Sequence, residues 1–352
     1  MNICFIAGTL GQGGAERQLY YYVKSLKENG HNPYVLCLTK GDFWEKPILD
    51  LGLPVIWVGR SNIHIYRLFS IIRQISQRPT DIIHSQHFHT NLYAYFAGVI
   101  LRIKAIGSVR NDVWSEISSL RFLGRISFSL PKVMVANSKA AISNAQKIGQ
   151  RKGQIFFLPN VVDSNYFIPA TRKNNSAYLL MIFIGSLWAP KRVDRVIRIA
   201  KICLEQNLSV KFKLFGDGEQ KKILINMAKE LGVLNTNLQF IGPVADIRIA
   251  YQEGDILLLT SDHEGTPNVV LEAMSCGLPV ISTKVGDVPD LIENGINGYV
   301  TNFDEESLFQ RIEELFKNSQ LRSTMGRLNR EKIIQERSFK GLIRKLEELY
   351  NQ

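Results

Sequence analysis

The feature that most constrains this chain is an alternation of short, β-branched apolar runs with segments of helical spacing. "NICFIAG" is followed by the helical "GAERQLYYYVKSLKENG", which Gly30 closes. "PYVLCL", "PVIWV", "DIIHS", "KAIGSV" and "KVMVANS" read as further strands, with helical segments between most of them. Near-continuous apolar strands joined by helices predict a parallel sheet covered on both faces. After "IFFLPNVVD" comes the polar "NYFIPATRKNNSA" with Pro169, which reads as an interdomain linker. The alternation then restarts: "YLLMIFIGS", a helix near 190–206, "VKFKLFGDG", a helix near 218–231, "LQFIG", "DILLLTS", a helix after Thr266, "LPVISTK" and "GYVTN". At about 150 residues per domain, the 352 residues suit two doubly wound α/β units, 1–165 and 179–335, joined by a linker over 166–178. Residues 336–352 form a charged helix with Leu342, Ile343, Leu346 and Leu349 on one face, expected to pack on a domain, with the N-terminal one a candidate. Ligands of such sheets sit at the carboxyl ends of the strands, so a cleft between the two units is the expected site.

Several classes fall away early. No run approaches the roughly 18 apolar residues of a spanning helix, and "MNICFIAGTLGQGG" lacks a basic start, so it reads as a buried strand and not a signal peptide. Cys4, Cys37, Cys203 and Cys276 are scattered without metal-binding spacing, as expected of buried free thiols in a reducing cytosol. The net charge of +11 is uneven: between 100 and 153 ten basic side chains face only Asp112 and Glu116. Such a stretch attracts nucleic acid, anionic lipid or a phosphorylated substrate, but no nucleic-acid-binding module accompanies it. A nicotinamide dehydrogenase is disfavoured too, because the strict G-x-G-x-x-G fingerprint is absent and Asp42 arrives late after the second strand.

Four stretches carry candidate chemistry. In "SDHEGTPNVVLEAMSCGLPV" Thr266 suits an N-cap, Pro267 the first helical position, and Gly277 the position just past the end, which predicts a helix over 267–276. Its N-terminus lies at a strand's carboxyl end and suits a diphosphate. Glu264 and Glu272 flank it; carboxylates repel phosphate but accept hydrogen bonds from sugar and ribose hydroxyls. An ordinary loop-to-helix junction would look the same. In "FIGSLWAPKRVDRVIRIA" Lys191 and Arg192 fall in a first helical turn, where cations oppose the dipole unless an anion offsets them. "GTLGQGGAER" is a glycine-rich loop that lets backbone approach a phosphate or sugar. "HSQHFHTN" places His84, His87 and His89 at a strand's end as candidates for substrate contact or, lacking a carboxylate cluster, less readily for a metal.

Together these motifs resemble one family. "EGTPNVVLEAMSCGLPVISTKVGDVPDLIENGINGYV", with "GGAER", "LPNVVD", "FGDG" and "FIGPV" in order, is similar to the retaining glycosyltransferases of family 4 (group 1), over essentially the whole chain and most closely over 179–300. The resemblance implies the GT-B fold, two Rossmann-like domains facing a cleft, with the acceptor on the N-terminal domain and the nucleotide sugar on the C-terminal one. It implies that Glu272 holds the ribose, Glu264 faces the donor sugar, and Lys191 meets the diphosphate with backbone amides at Gly13, Gly14 and Thr266–Asn268. Gly265 and Pro267 belong to that tip, and the base would lie near Gly216 and Ile241. Two positions depart from the family pattern. Ser186 stands where an arginine is usual, and Arg192, replacing a common glycine, could supply the missing charge. "KAIGSVRND" lacks the usual histidine, leaving His84, His87 or Arg110 to contact sugar. The implied reaction moves a sugar from a UDP-linked donor to a glycan or lipid-linked glycan with retention and without a metal cofactor, as in lipopolysaccharide, capsule or exopolysaccharide assembly. A sugar-nucleotide epimerase of the same two-domain fold is the alternative. "WSEISSLRFLGRISFSLPK" mixes Trp114, Leu120, Phe122 and Phe128 with Arg121 and Arg125, as a segment lying on an anionic membrane would. A cytoplasmic enzyme peripheral to the inner membrane face is therefore expected.

Overall fold

A computed structural model describes residues 1–148, 155–171 and 177–351. The chain forms two units, Met1–Val161 with Phe339–Gln352, and Val162–Ser338. The first holds a parallel sheet of β1 (Asn2–Ala7), β2 (Asn32–Cys37), β3 (Val55–Trp57), β4 (Ile82–Ser85), β5 (Lys104–Val109), β6 (Val133–Ala136) and β7 (Ile155–Phe157), in the order β3-β2-β1-β4-β5-β6-β7. The second holds β8 (Leu179–Ile184), β9 (Val210–Phe215), β10 (Leu238–Gly242), β11 (Ile256–Leu259), β12 (Val280–Thr283) and β13 (Gly298–Thr301), in the order β10-β9-β8-β11-β12-β13. Every pairing is parallel. In both sheets the winding reverses beside the first strand, between β1 and β4 and between β8 and β11. Crevices at the carboxyl ends of such strands hold the ligands of open α/β sheets.

The strands are apolar on both faces because helices cover both. Phe5 and Ile3 of β1 face one cluster with Leu19, Tyr22 and Leu26 of the helix Gly14–Glu28, while Cys4 and Ile6 face another with Ile71, Ala94 and Ala97. The terminal helix Leu342–Asn351 joins the first of these through Leu342, Leu346 and Leu349, so the end of the chain completes the first unit's core. In the second unit the helix Ser319–Glu336 packs on the helix Asn268–Ser275. Gly326 permits this approach, since a Cβ there would lie 2.1 Å from the Gly277 carbonyl oxygen. Buried Asn329 donates to the carbonyls of Leu278 and Asn297 and ties the same junction. All four cysteines are buried and free.

The chain changes unit at 161–162, earlier than a linker over 166–178 would have it. Phe167 decides this: its ring is buried edge-on against Tyr251, and its carbonyl accepts from Ser275 Oγ at 2.8 Å. One aromatic anchor outweighs the polar composition around it. Residues 172–176 of that linker lie outside the described residues, as do Arg151 and Lys152 of the basic stretch.

Candidate active site

The second unit's switch point is built by two loops. After β8 the chain passes through a short turn, Ala189–Lys191, and a left-handed Arg192 (φ 48°) before the helix Val193–Glu205 begins. Lys191 and Arg192 therefore precede the helix instead of occupying its first turn. After β11, the Thr260 hydroxyl donates to the carbonyls of Lys191 and Arg192, both at 3.0 Å, and the Asp262 N–H donates to Pro190 O at 2.8 Å. These bonds dock one loop on the other and bring together two side chains 73 residues apart. Lys191 Nζ donates to Glu264 Oε1 at 2.6 Å, and Ser261 Oγ donates to the same oxygen at 2.7 Å. The Lys191 side chain is 28% exposed, whereas that of Glu264 is mostly buried at 11%.

Arg192 takes a different role from the one expected of it. Its guanidinium is occupied by Asp194, at 3.0 Å from both Nε and Nη2, and by Asp262, at 3.1 Å from Nη1. These bonds, Asp194's foremost, hold it still more firmly protonated than usual. Asp262 also accepts from buried Arg195 at 2.7 Å. Arg192 thus locks the Lys191 loop, and its charge is already balanced, so it does not supply the charge missing at Ser186. Ser186 itself is half-buried on the same loop.

Beyond Glu264, Gly265 and Thr266 are held by the loop after β12. Asp287 N–H donates to Gly265 O at 2.9 Å, and the Thr266 hydroxyl donates to Asp287 Oδ2 at 3.0 Å. With its hydroxyl so engaged, Thr266 does not cap the helix; Pro267 is the N-cap and the helix runs Asn268–Ser275. Gly277 follows with φ +73°, as its place past the helix end requires. The helix N-terminus lies at the carboxyl end of the sheet beside Glu264, where its backbone N–H groups and positive dipole end favour an anion. Glu272, one helical turn further on, is buried and accepts from Tyr251 OH at 2.7 Å. Gly216 lies against Gly185, and Ile241 is exposed on β10.

In the first unit the switch point carries a second polar cluster. His87 Nδ1 accepts from Gly8 N–H at 3.0 Å, which leaves the ring proton on Nε2, 3.2 Å from Glu16 Oε1. Glu16 sits in the first turn of the helix Gly14–Glu28, where the dipole favours a carboxylate. Gly13 caps that helix, and a Cβ on it would come within 2.2 Å of Glu16 Oε2. Sequence reading passed over Glu16, although "GGAER" contains it and an acid two residues past a double glycine at a helix start was the available signal. Arg110 donates to Tyr22 OH at 2.8 Å and lies over that ring, half-buried beside Gln86.

His84 does not belong with these groups. It is wholly buried, stacked on Phe5 at 5.0 Å, with Nδ1 2.9 Å from Tyr350 OH, so it supports the core and cannot reach a ligand. The three histidines of "HSQHFHTN" are consequently not one metal set, and among the described residues no three His, Cys, Asp or Glu side chains gather as metal ligands. Burial first, then the nearby Arg110 charge, holds His84 well below the usual imidazole range. Its stabilising contribution is therefore complete above the unfolded pKa and lost as pH falls, because only the unfolded chain takes up the proton. Between pH 7.5 and 5.5 this should cost on the order of 1 kcal/mol. Urea denaturation of wild type and His84→Phe at the two pH values checks it: the variant should lack that increment.

Two doubly wound parallel sheets, each with a polar cluster at its switch point, make up the GT-B glycosyltransferase fold. An Anabaena protein solved in complex with UDP and glucose, HepE, shares it across 100% of both chains with TM-score 0.88 at 20% identity. The chain belongs to glycosyltransferase family 4: Glycosyltransferase Family 4 matches residues 12–166, and Glycosyl transferases group 1 matches 167–332. It is a hexosyltransferase-type glycosyltransferase. Relatives include N-acetyl-alpha-D-glucosaminyl L-malate synthase of Bacillus anthracis, 27% identical over 93% of this chain and 91% of its own. An alpha-1,4-N-acetyl-D-galactosaminyltransferase of Campylobacter jejuni, named for an undecaprenol-diphosphate-linked trisaccharide acceptor, is 24% identical over 91% of this chain and 90% of its own.

Proposed function

We propose that the enzyme transfers a hexose from a UDP-linked donor, with retention, to a lipid-linked glycan in cell-surface polysaccharide assembly. The contact of Lys191 with Glu264 beside the Thr266–Asn268 helix tip carries the reading. A carboxylate holds the ammonium in place until a diphosphate, bearing more charge, competes for it. Lys191 then faces the leaving group where negative charge grows, and the Thr266–Asn268 helix-tip amides share that charge. Glu264, released, accepts from a donor-sugar hydroxyl, and Glu272 with Gly216 and Ile241 belongs to the nucleoside end. Because the Lys191 ammonium and the helix-tip amides meet the phosphates, transfer needs no metal cofactor. On the first unit Glu16, oriented by His87, and Arg110 are the acceptor-side polar groups. The UDP held by the Anabaena neighbour and the lipid-linked acceptor named for the Campylobacter relative support the choice of donor and acceptor class. A thermal-shift panel of UDP, ADP, GDP and their sugars in EDTA tests it: UDP species should raise the second unit's melting temperature by mass action. Stabilisation by another nucleotide alone would reject the donor assignment.

A cytoplasmic enzyme working on lipid-linked glycans would lie on the inner membrane face, and the first unit offers a surface for that. No helix of the described residues is long and apolar enough to cross a membrane. The helix His64–Ser76 packs on Asn91–Leu101, which packs on Phe122–Ser129, which in turn packs on Val113–Ser119, and the four expose Phe69, Ile100, Trp114 and Phe122. Exposed Arg102, Arg121 and Arg125 lie among them, whereas Phe128 is core. The apolar surface extends well before the basic stretch from residue 100, into the helix from His64. Apolar side chains interleaved with cations suit an anionic headgroup layer. Flotation with phosphatidylglycerol vesicles at low salt should carry the wild type up, and the double variant Phe69→Ser/Phe122→Ser should remain below. Equal flotation of the two, or none of the wild type, contradicts this.

A further inference from the structure

The carboxyl edge of the second unit carries an exposed indole that none of the foregoing roles uses. Trp188 follows β8 and is 56% exposed, three residues before Lys191. Beside it the ends of β8, β9 and β10 are closed by glycines. Gly216, at φ +137°, lies so close that a Cβ would come within 1.9 Å of Gly185 O, and its N–H donates to Gly242 O at 3.0 Å. Strand ends without side chains leave a flat floor of backbone. The indole rests on this region: a Cβ on Gly218 would lie 2.6 Å from Trp188 Cδ1. Leu187 N–H donates to Asp217 O at 2.9 Å, Gln220 N–H to Leu187 O at 3.1 Å, and Lys191 N–H to Trp188 O at 3.0 Å. The exposed ring is thus held by a strapped loop. Across the floor, the register of β10 shifts between Phe240 and Gly242, and Ile241 is turned outward, 41% exposed.

We infer that Trp188 is the platform on which the donor's nucleobase stacks, with Ile241 bounding the same pocket; this rests on the donor reading above. One loop would then deliver both an aromatic face and an ammonium to a single nucleotide. The turn that joins Trp188 to Lys191 keeps their Cα atoms within about 7 Å, so ring and ammonium lie within reach of one nucleoside diphosphate. Every base has a π face, so the contact adds affinity without selecting the base. Truncating such a platform lowers affinity by about tenfold or more.

Isothermal titration of UDP and of pyrophosphate into wild type, Trp188→Ala and Trp188→Phe tests this. The alanine variant should lose about tenfold in UDP affinity, keep its pyrophosphate affinity, and be largely restored by phenylalanine. Unchanged UDP affinity in Trp188→Ala overturns the inference. An equal loss for UDP and pyrophosphate also overturns it, since that reports a displaced Lys191 loop and not a lost base contact. Should wild type bind pyrophosphate but neither UDP, ADP nor GDP, the donor reading itself fails and the inference with it.

Discussion

Lys191→Ala should lower the rate of sugar transfer by about 10²–10³-fold, with the second unit still folded. The backbone of Lys191, not its ammonium, holds the loop: the Thr260 hydroxyl donates to its carbonyl, and Pro190 O accepts from Asp262. Arg192, with its two aspartates, locks the following turn. Removing the ammonium leaves Glu264 with its bond from Ser261 Oγ, so no buried carboxylate is stranded without a partner. What disappears is a cation at the switch point whose carboxylate partner a diphosphate can replace. If that cation acts on the leaving group, the loss falls mainly on kcat. A loss confined to donor KM would mean that Lys191 binds ground state and transition state alike. Glu264→Ala should be similarly damaging through the sugar. Near-normal transfer by either purified variant would remove it from the mechanism.

The second large effect concerns the fold around Glu264. Gly286 stands at φ +48°, and a Cβ there would lie 1.8 Å from Gly265 O and 2.7 Å from Glu264 O. Neither is the end of a flexible side chain. Gly286→Ala must therefore push the loop that carries Glu264 and Thr266, besides imposing left-handed backbone strain on alanine. Together these should cost about 3 kcal/mol, lowering the melting temperature by about 10 °C. Gly295→Ala separates the two contributions: its φ is +79°, but nothing lies within 4 Å of the added Cβ. It should cost only about 1 kcal/mol. Calorimetry of both variants checks the difference; equal shifts would mean that the loops do not bear on each other through Gly286.

Both sheets were legible because burial on two faces writes itself as unbroken apolar runs, as in "LLMIFI" of β8. The terminal helix was legible for the same reason, through its leucines on one face. What escaped was decided by partners far away in the chain. Thr266 has the residue type of an N-cap, but Asp287, 21 residues on, takes its hydroxyl. Arg192 looked available, but Asp194, two residues on, and Asp262, 70 residues on, together hold its guanidinium. His84 looked like its neighbour His87, yet strand alternation turns one into the core against Tyr350 and leaves the other at the strand end facing Glu16. Phe167 was hidden in a polar stretch whose average outweighed its one anchoring ring. Motif order carried the family, while the pairing of Lys191 with Glu264 is a long-range contact that spacing does not encode.

The most direct test of the Lys191–Glu264 site is a crystal structure of the enzyme with UDP bound. The diphosphate should lie at the start of the Asn268–Ser275 helix, with Lys191 Nζ moved from Glu264 to within about 3 Å of a phosphate oxygen. A UDP bound elsewhere, with the 2.6 Å contact between Lys191 and Glu264 intact, would contradict it.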